Sequence, residues 1–263
     1  MDTYAMMDPA QLRAFALPGL PMLGPECDLA AEICEAMHRS REAWQAGDIC
    51  VVAQKVISKC EGRTIALDSV QPDARASAEA TRLGRDPRML ALIERESSEI
   101  LRATRAAVIT RHRTGHVLAN AGIDASNVAG KGEVLLWPQD PDASARTLRA
   151  AIACSSGASP AVVIADSMGR AWRIGTVGTA IGCAGLQVLE DRRGTGRDLY
   201  GRTLQATIIA VADSIAALAG LAMGEGDEGT PVVVVRGAGR WVTPEDGPGA
   251  ASGLRPIEQD LFR

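Results

Sequence analysis

The sequence is poor in aromatic residues and lacks the compact motifs of several large enzyme classes. Aromatic residues make up 3% of its 263 residues. It contains no Gly-x-Ser-x-Gly elbow, no assignable Ser/His/Asp or Cys/His set and no Walker-type phosphate loop. These absences argue against covalent catalysis and against a P-loop nucleotidase, because each chemistry depends on those residues at those spacings.

The cysteines are also arranged in a way that excludes common sites. They form no C-x-x-C pair and no metal knuckle, and they stand at Cys27, Cys34, Cys50, Cys60, Cys154 and Cys183. In a chain of this length such spacing predicts reduced thiols in a cytoplasmic protein. The polar opening "MDTYAMMDPAQ" is unlike a signal peptide, which favours the same location.

Charge and hydropathy restrict the partners. A net charge of -4 and a pI near 5.5 argue against a nucleic-acid partner, which would require a basic face. A small anionic ligand remains compatible, because a local cationic pocket is enough to bind it. The most apolar window, residues 204–224, contains Gln205, Asp213 and Ser214, so it predicts buried core and no membrane span.

Alternating strand and helix patterns predict a mixed α/β (α+β) chain. Runs rich in β-branched residues predict strands at residues 49–58, 106–110, 133–137, 161–167 and 231–237. Apolar periodicity predicts helices at residues 28–44, 73–104 with a break near Gly84 and Pro87, and 142–157. The glycine-rich segment 169–185 predicts a loop or closely packed backbone, and 189–198 a turn-rich excursion.

The order of these elements is too irregular for a simple doubly wound sheet. We therefore expect two interleaved lobes with mixed sheets in one domain of residues 1–240, followed by a surface arm of residues 241–263.

A formal G-x-G-x-x-G match, "GEGDEG" at residues 224–229, follows a helical pattern and precedes a strand. A Rossmann fingerprint requires the opposite order, so that fold is excluded. Two interpretations remain open: a helix C-cap with an acidic turn, or a loop that holds a divalent cation beside a phosphate through Glu225, Asp227 and Glu228.

Two further segments carry oxygen ligands. "IADSMGR" ends a strand at Asp166 and Ser167, and "ANAGIDASN" contains Asp124 and Asn127. Either segment alone is equally consistent with a turn. Taken with Glu225, the two aspartates supply oxygen ligands from three segments, the style of a magnesium site that keeps waters and substrate phosphates as its other ligands.

Cationic and imidazole side chains complete the candidates. In "QKVISKCEGR", Lys55, Lys59 and Arg63 flank the end of the predicted strand and could neutralise a triphosphate, although lysines that protect a solvated strand edge fit equally well. We expect His112 and His116 to be surface residues, because no third metal ligand accompanies them.

Seven segments in order resemble the coenzyme F420:L-glutamate ligases, also called F420-0:γ-glutamyl ligases. They span roughly residues 17–237 and include "GLPMLGPECDLA", "GDICVVAQKVISKCEGR", "ANAGIDASN", "PDASARTLRAAI", "ADSMGRAWRIGTVGTAIGCAGL", "DLYGR" with "VADSIAALAGLAMGE", and "PVVVVRG". The unusual "GIDASN" and "DSMGRAWR" stretches make the match specific.

The resemblance implies a GTP-dependent ligase. The carboxylate of a glutamate-free deazaflavin phosphodiester, F420-0, would be activated by phosphoryl transfer, and L-glutamate would displace the phosphate. It also implies further γ-linked glutamate, two divalent ions of Mg²⁺ or Mn²⁺, assistance from K⁺, a homodimer, and a fold unlike the ATP-grasp ligases.

The family's functional positions fall on identifiable residues. The resemblance implies metal ligation by Asp124, Asp166, Ser167 and Glu225, and catalytic roles for Asp124, Asp166 and Lys59. Its guanine-nucleotide positions fall on Leu20, Pro21, Met22, Leu23, Gln54, Lys55, Lys59, Asn127, Met223, Gly224, Glu225, Gly226, Asp227, Glu228, Gly229 and Thr230. Gly122 and Ala125 would be the small residues that let their loop approach the ligand.

Two departures from the family pattern leave two alternative functions open. Members of the family often have small hydroxyl residues at the positions of Gln54 and Lys55, and glutamine at the position of Glu225. A paralogous amide ligase for another phosphorylated acid or acceptor is one alternative, and a non-catalytic nucleotide-binding module is the other.

Overall fold

The computed structural model describes residues 11–261 and confirms the mixed α/β class. In chain order its elements are β1 (Arg13–Ala16), α1 (Leu29–Arg39), β2 (Ile49–Ala53), α2 (Gln54–Cys60), β3 (Thr64–Ala66), α3 (Ala74–Leu83), α4 (Pro87–Glu96), β4 (Ser97–Ala103), β5 (Val108–His112), β6 (Val117–Ala119), β7 (Glu133–Leu135), α5 (Pro141–Ser156), β8 (Ala161–Arg170), β9 (Arg173–Ala184), β10 (Leu189–Asp191), β11 (Ile208–Ala210), α6 (Val211–Met223) and β12 (Val232–Arg236).

A five-stranded mixed sheet in the order β1-β12-β2-β8-β9 forms the centre. Only β2 and β8 run parallel among these neighbours. The runs "ICVV", "AVVIA" and "VVVV" are buried because helices cover both faces, which explains why they are continuously apolar. Helices α1 and α5 pack on one face and α6 packs on the other.

A second unit lies between α2 and α5 in the chain. It contains the pair β3–β7, the sheet β4-β5-β6, and helices α3 and α4. Its own core includes Leu90, Leu92, Ile93 and Leu136. This unit brings the segment around Asp124 to the end of the central sheet, because Asp124 pairs with Leu135 of β7 and contacts Lys55 of α2.

The predicted strand 49–58 is wrong beyond Ala53, where the chain turns into helix α2. Val56 and Ile57 suggested a strand because they are β-branched, but both are buried in a helix. The side chain of Gln54 spans one helical turn, with Nε2 donating to Ser58 Oγ at 2.5 Å. Tertiary packing therefore overrides local propensity here.

The helical stretch 73–104 has the predicted break but a wrong end. Gly84 caps α3 with a φ of 63°, and Pro87 opens α4. Residues 97–103, predicted as helix, form strand β4 instead and pair with β5. The first helix is also shorter than predicted, since α1 ends at Arg39.

Of the two interpretations of segment 169–185, the loop is wrong, because strand β9 occupies most of it, and the closely packed backbone is confirmed. The glycines permit close packing. A Cβ atom at Gly178 would collide with the carbonyl oxygen of Ala216 on α6, and one at Gly182 would collide with the carbonyl of Pro141 on α5. The glycines therefore mark helix contacts with the sheet and not a flexible connection.

The described part of the tail lies against the body of the protein. Val242 forms a bridge with Leu186, and the Asp246 carboxylate accepts from Arg149 at 2.8 Å. The division into residues 1–240 and 241–263 stays a prediction. Across residues 11–261, no helix combines the length and apolar composition needed to cross a membrane.

Candidate functional site

A cavity of about 530 Å³ lies where β2 ends, beside β8 and the loop that joins α6 to β12. Its lining includes every residue that the sequence assigns to the nucleotide, from the segment 20–23, from α2, from Asn127 and from the loop 223–230. Asp166 and Ser167 line it from β8. One space therefore gathers residues from five separate segments, and Asp124 contacts it through Lys55.

Helix α2 carries the positive charge of this cavity. Lys55 and Lys59 are one turn apart, so both face the cavity from a helix and not from the predicted strand end. Burial and the nearby Lys55 charge lower the pKa of Lys59, so a phosphate group beside it would relieve a repulsion. Gln54 points inward and is 2% exposed.

Asp124 is held by two donors. Its Oδ2 lies 2.7 Å from Lys55 Nζ, and its Oδ1 accepts from the Ser126 amide at 2.6 Å. Burial opposes ionisation of this carboxyl, but these hydrogen bonds outweigh it and hold the pKa of Asp124 below its usual range. Lys55 Nζ also donates to Ser126 Oγ at 2.6 Å, so the lysine ties α2 to this loop.

The loop that presents Asp124 has a constrained backbone. Asn120, Ala121 and Gly122 all have φ between 53° and 69°, a region that residues with a Cβ seldom occupy. The Asn120 carboxamide oxygen accepts from Arg85 and from the Val108 amide, so this residue is structural. A Cβ atom at Gly122 would collide with an indole ring, so the position is small because of protein and not because of ligand.

That indole belongs to Trp137, whose Nε1 donates to Asp166 Oδ2 at 2.8 Å. Asp166 Oδ1 accepts from the Ser167 amide at 2.9 Å. Burial raises the pKa of Asp166 to about 6, and Asp124 adds to this, while the two hydrogen bonds and Lys55 act in the opposite direction. Sequence reasoning missed Trp137; the available signal was a tryptophan ending an apolar strand run.

The expectation that His112 and His116 lie on the surface is wrong. Both are buried, with ring centroids 5.0 Å and 5.4 Å from that of Trp137. Burial lowers the pKa of His112 to about 4 and also lowers that of His116. They support the indole, because the turn between them folds both rings onto it.

The acidic loop after α6 confirms one of the two interpretations of "GEGDEG", and the divalent-cation interpretation stays a prediction. Helix α6 ends at Met223 with Gly224 as its cap, which confirms the helix-end context. The Glu228 carboxylate accepts from the Gly226 amide at 2.8 Å, and Asn127 Nδ2 lies 3.4 Å from the Gly226 carbonyl oxygen. The loop is therefore ordered by its own polar groups while it also lines the cavity.

The donor set of the cavity fits a hard cation that is completed by its substrate. In residues 11–261, no group of three or more His, Cys, Asp or Glu side chains closes around one point. Asp166 lines the cavity, and Asp124 lies near enough for its charge to raise the pKa of Asp166. Mg²⁺ is often held by one or two carboxylates with phosphates and waters as its other ligands, so these residues fit it.

The chain is similar to a known protein family and to several of its members. The family model described as F420-0:Gamma-glutamyl ligase matches residues 19–237. The chain is 43% identical over 245 residues to the coenzyme F420:L-glutamate ligase of Methanothermobacter thermautotrophicus, covering 93% of this chain and 96% of that one. The protein of the same name from Methanopyrus kandleri is 43% identical over 253 residues, covering 96% and 98%.

A similar match extends to Halorubrum lacusprofundi, whose coenzyme F420:L-glutamate ligase is 41% identical over 258 residues, covering 96% of each chain. The seven sequence segments, the residues gathered in the cavity and these matches agree, and the chain belongs to the F420-0:gamma-glutamyl ligase family.

Proposed function

We propose that this protein is a GTP-dependent ligase that joins L-glutamate to F420-0 through an acyl-phosphate intermediate. The observation that carries the proposal is the cavity of about 530 Å³, which is lined by Asp166 and by two lysines of α2. Asp124 lies behind this lining and pairs with one of those lysines, Lys55, at 2.7 Å. The names of the relatives support glutamate as the amino acid and coenzyme F420 as the product class.

The chemistry takes two balanced steps. A carboxylate oxygen of F420-0 attacks the terminal phosphorus of GTP, forming an acyl phosphate and releasing GDP. The amine of glutamate then attacks the acyl carbon, and the carbon–oxygen bond to phosphate breaks. Phosphate leaves with the oxygen that came from F420-0. The ammonium group loses two protons, one to solvent as it becomes the attacking amine and one to the departing phosphate. A repeat on the γ-carboxylate of the product would add another glutamate.

The residues of the cavity suit the first step. Asp124 and Asp166, with the Ser167 hydroxyl, would hold Mg²⁺ or Mn²⁺, which supplies neutralisation of the phosphate charge when it is bound. Lys59 contributes a fixed positive charge at the position where phosphoryl transfer moves negative charge. Glu225 lies on the opposite loop, where a carboxylate would strengthen cation binding.

A direct assay tests the proposal. The protein is incubated with F420-0, L-glutamate, GTP and Mn²⁺, and mass spectrometry follows the deazaflavin. We expect a product heavier by one or more glutamyl units. Asp124→Asn and Asp166→Asn should each lower turnover at least about 100-fold, since even groups that only support metal ligands are worth 10–100-fold. Asp191→Asn, at the exposed end of strand β10, is the control and should leave turnover unchanged.

Absence of any glutamylated product across both metals and added K⁺ would refute the proposal. If no product forms but the protein and both aspartate variants still bind the nucleotide equally well, a non-catalytic nucleotide module is favoured.

One observation supports a second candidate, a ligase of the same chemistry with a different acid or amino acid. Gln54 is buried against Ser58, and Lys55 pairs with Asp124, so two of the three positions that depart from the family pattern are engaged within the protein. A panel of phosphorylated acids, acceptors and nucleotides, followed by phosphate release, separates the two. Homodimer formation and K⁺ dependence can be measured in the same preparations.

A further inference from the structure

Trp137 touches the segment that carries Asp166, which lines the cavity, and the segment that carries Asp124, which reaches the cavity through Lys55. Its indole Nε1 donates to Asp166 Oδ2 at 2.8 Å. The same ring fills the space above Gly122, two residues before Asp124, and leaves no room there for a Cβ atom. One side chain therefore lies between the strand that presents Asp166 and the loop that presents Asp124.

The backbone strengthens this link. Asp124 and Leu135 exchange two hydrogen bonds, from Asp124 N to Leu135 O at 3.1 Å and from Leu135 N to Asp124 O at 2.8 Å. Trp137 follows Leu135 by two residues, so its position along the chain is fixed relative to Asp124. The distance between the two carboxylates is consequently set through a short path of protein atoms.

The indole itself has little freedom to move. It is fully buried, and the rings of His112 and His116 pack against it. The backbone carbonyl oxygen of Trp137 accepts from Arg63 Nε at 2.8 Å. Arg63 in turn pairs with the buried Glu96 at 2.9 Å. A rigid donor of this kind fixes the plane of the carboxylate that accepts from it.

The Asp166 carboxylate keeps capacity for a ligand. Each oxygen accepts one hydrogen bond from the protein, Oδ2 from the indole and Oδ1 from the Ser167 amide. A carboxylate oxygen has two acceptor sites, so one site on each oxygen remains. Because the plane of the group is fixed, the remaining sites point in fixed directions.

We propose that Trp137 is a positioning residue that fixes the spacing and orientation of Asp124 and Asp166, and thereby sets the affinity of the cavity for its divalent cation. The inference rests on the proposed function in taking the two aspartates as cation ligands. Trp137 touches no substrate; it acts through the carboxylates. Phenylalanine or leucine would occupy the same apolar space but has no N–H donor. A test of the positioning role therefore removes the donor and keeps an apolar side chain.

The experiment compares two tryptophans. Trp137→Phe removes the donor and keeps an aromatic ring. Trp241→Phe is the matched control, because Trp241 Nε1 also donates to a carboxylate, Glu190 Oε2 at 2.7 Å, outside the cavity. Free Mn²⁺ is measured by electron paramagnetic resonance during titration of each protein. We expect Trp137→Phe to weaken Mn²⁺ binding about 10-fold or more, and the control to stay within about twofold of the unchanged protein.

A spectroscopic readout tests whether the bound cation lies beside Trp137. Bound Mn²⁺ quenches the fluorescence of a nearby indole, so part of the emission of the unchanged protein should fall on titration. This component should be missing in Trp137→Phe and retained in Trp241→Phe. Equal Mn²⁺ affinity in a well-folded Trp137→Phe would overturn the inference while the ligase proposal stands.

A second measurement covers a Trp137→Phe protein that fails to fold. The chain has four tryptophans, and ¹⁵N spectra of the unchanged protein show their indole N–H groups, assigned with Phe variants of the other three. Mg²⁺ should shift the Trp137 signal and not that of Trp241. No shift on Mg²⁺ binding would overturn the inference. If the unchanged protein binds neither cation, the metal part of the proposed function is wrong and the inference falls with it.

Discussion

Acidification should destabilise this protein through one buried imidazole. His112 is 0% exposed. Burial, with the nearby Arg113 charge as a smaller contribution, lowers its pKa from an ordinary value of about 6.5 to about 4. Glu96 acts in the opposite direction, with an oxygen 4.0 Å from His112 Nε2, but does not compensate. Arg63 and His116 add further positive charge near the ring.

The sign and size of the effect follow from linkage. Above the unfolded-state pKa of about 6.5, the imidazole is neutral in both states and stability is complete. As the pH falls below that value, the unfolded chain takes up a proton that the folded protein refuses, so the free energy of unfolding falls until the folded pKa is reached. Between about pH 7.5 and about pH 5 the loss from His112 is about 2 kcal/mol. His116 acts in the same direction.

Urea unfolding at the two pH values measures the loss. His112→Asn keeps a short polar group that can accept from the Thr114 amide as the ring nitrogen Nδ1 does, but it cannot titrate. This variant should be less stable at both pH values and should lose about 2 kcal/mol less on acidification. His38→Asn, on the exposed end of α1, is the control and should keep the full pH dependence.

An unchanged pH dependence in His112→Asn would refute the reasoning, because the proton uptake would then belong to another group. The comparison between the two proteins is decisive because Asp166, whose pKa is raised to about 6, acts in the opposite direction over the same range in both of them. A larger loss of stability on acidification in His112→Asn than in the unchanged protein would contradict the direction of the His112 effect.

Three further predictions concern the sheet and the cavity. Gly178→Ala places a Cβ atom against the Ala216 carbonyl and should cost about 1–3 kcal/mol in urea unfolding, whereas Gly169→Ala, with open space around it, should cost far less. Lys59→Met should raise the KM for GTP about 10-fold to 100-fold, because it removes a charge-assisted hydrogen bond to the nucleotide. An unchanged KM would exclude contact between Lys59 and the nucleotide. Lys55→Met should tighten Mn²⁺ binding by up to about fivefold in calorimetry, because a competing cation is removed; weaker binding would contradict the competition.

The mixed α/β class followed from the sequence, and the family resemblance named residues that line the cavity. The bounds of the helices and strands were predicted less well. Segments such as "IADSMGR" and "ANAGIDASN" were recognisable because polar residues end apolar runs. Their convergence could not be seen in either segment alone, since it depends on the second unit returning Asp124 to the end of the central sheet.

The failures have a common physical cause. Val56 and Ile57 favour strands locally, and the glycines of β9 favour loops, but packing decides both cases. His112 was expected on the surface, but its ring is buried and packs against Trp137. These contacts join residues far apart in the chain, so no local pattern reports them.

Isotope transfer tests the central claim most directly. F420-0 carrying ¹⁸O in its reactive carboxylate is incubated with the protein, GTP, L-glutamate and Mn²⁺, and both products are analysed by mass spectrometry. An acyl-phosphate route predicts that each amide formed leaves one ¹⁸O in inorganic phosphate. Phosphate without label, or label in GDP, would contradict the account.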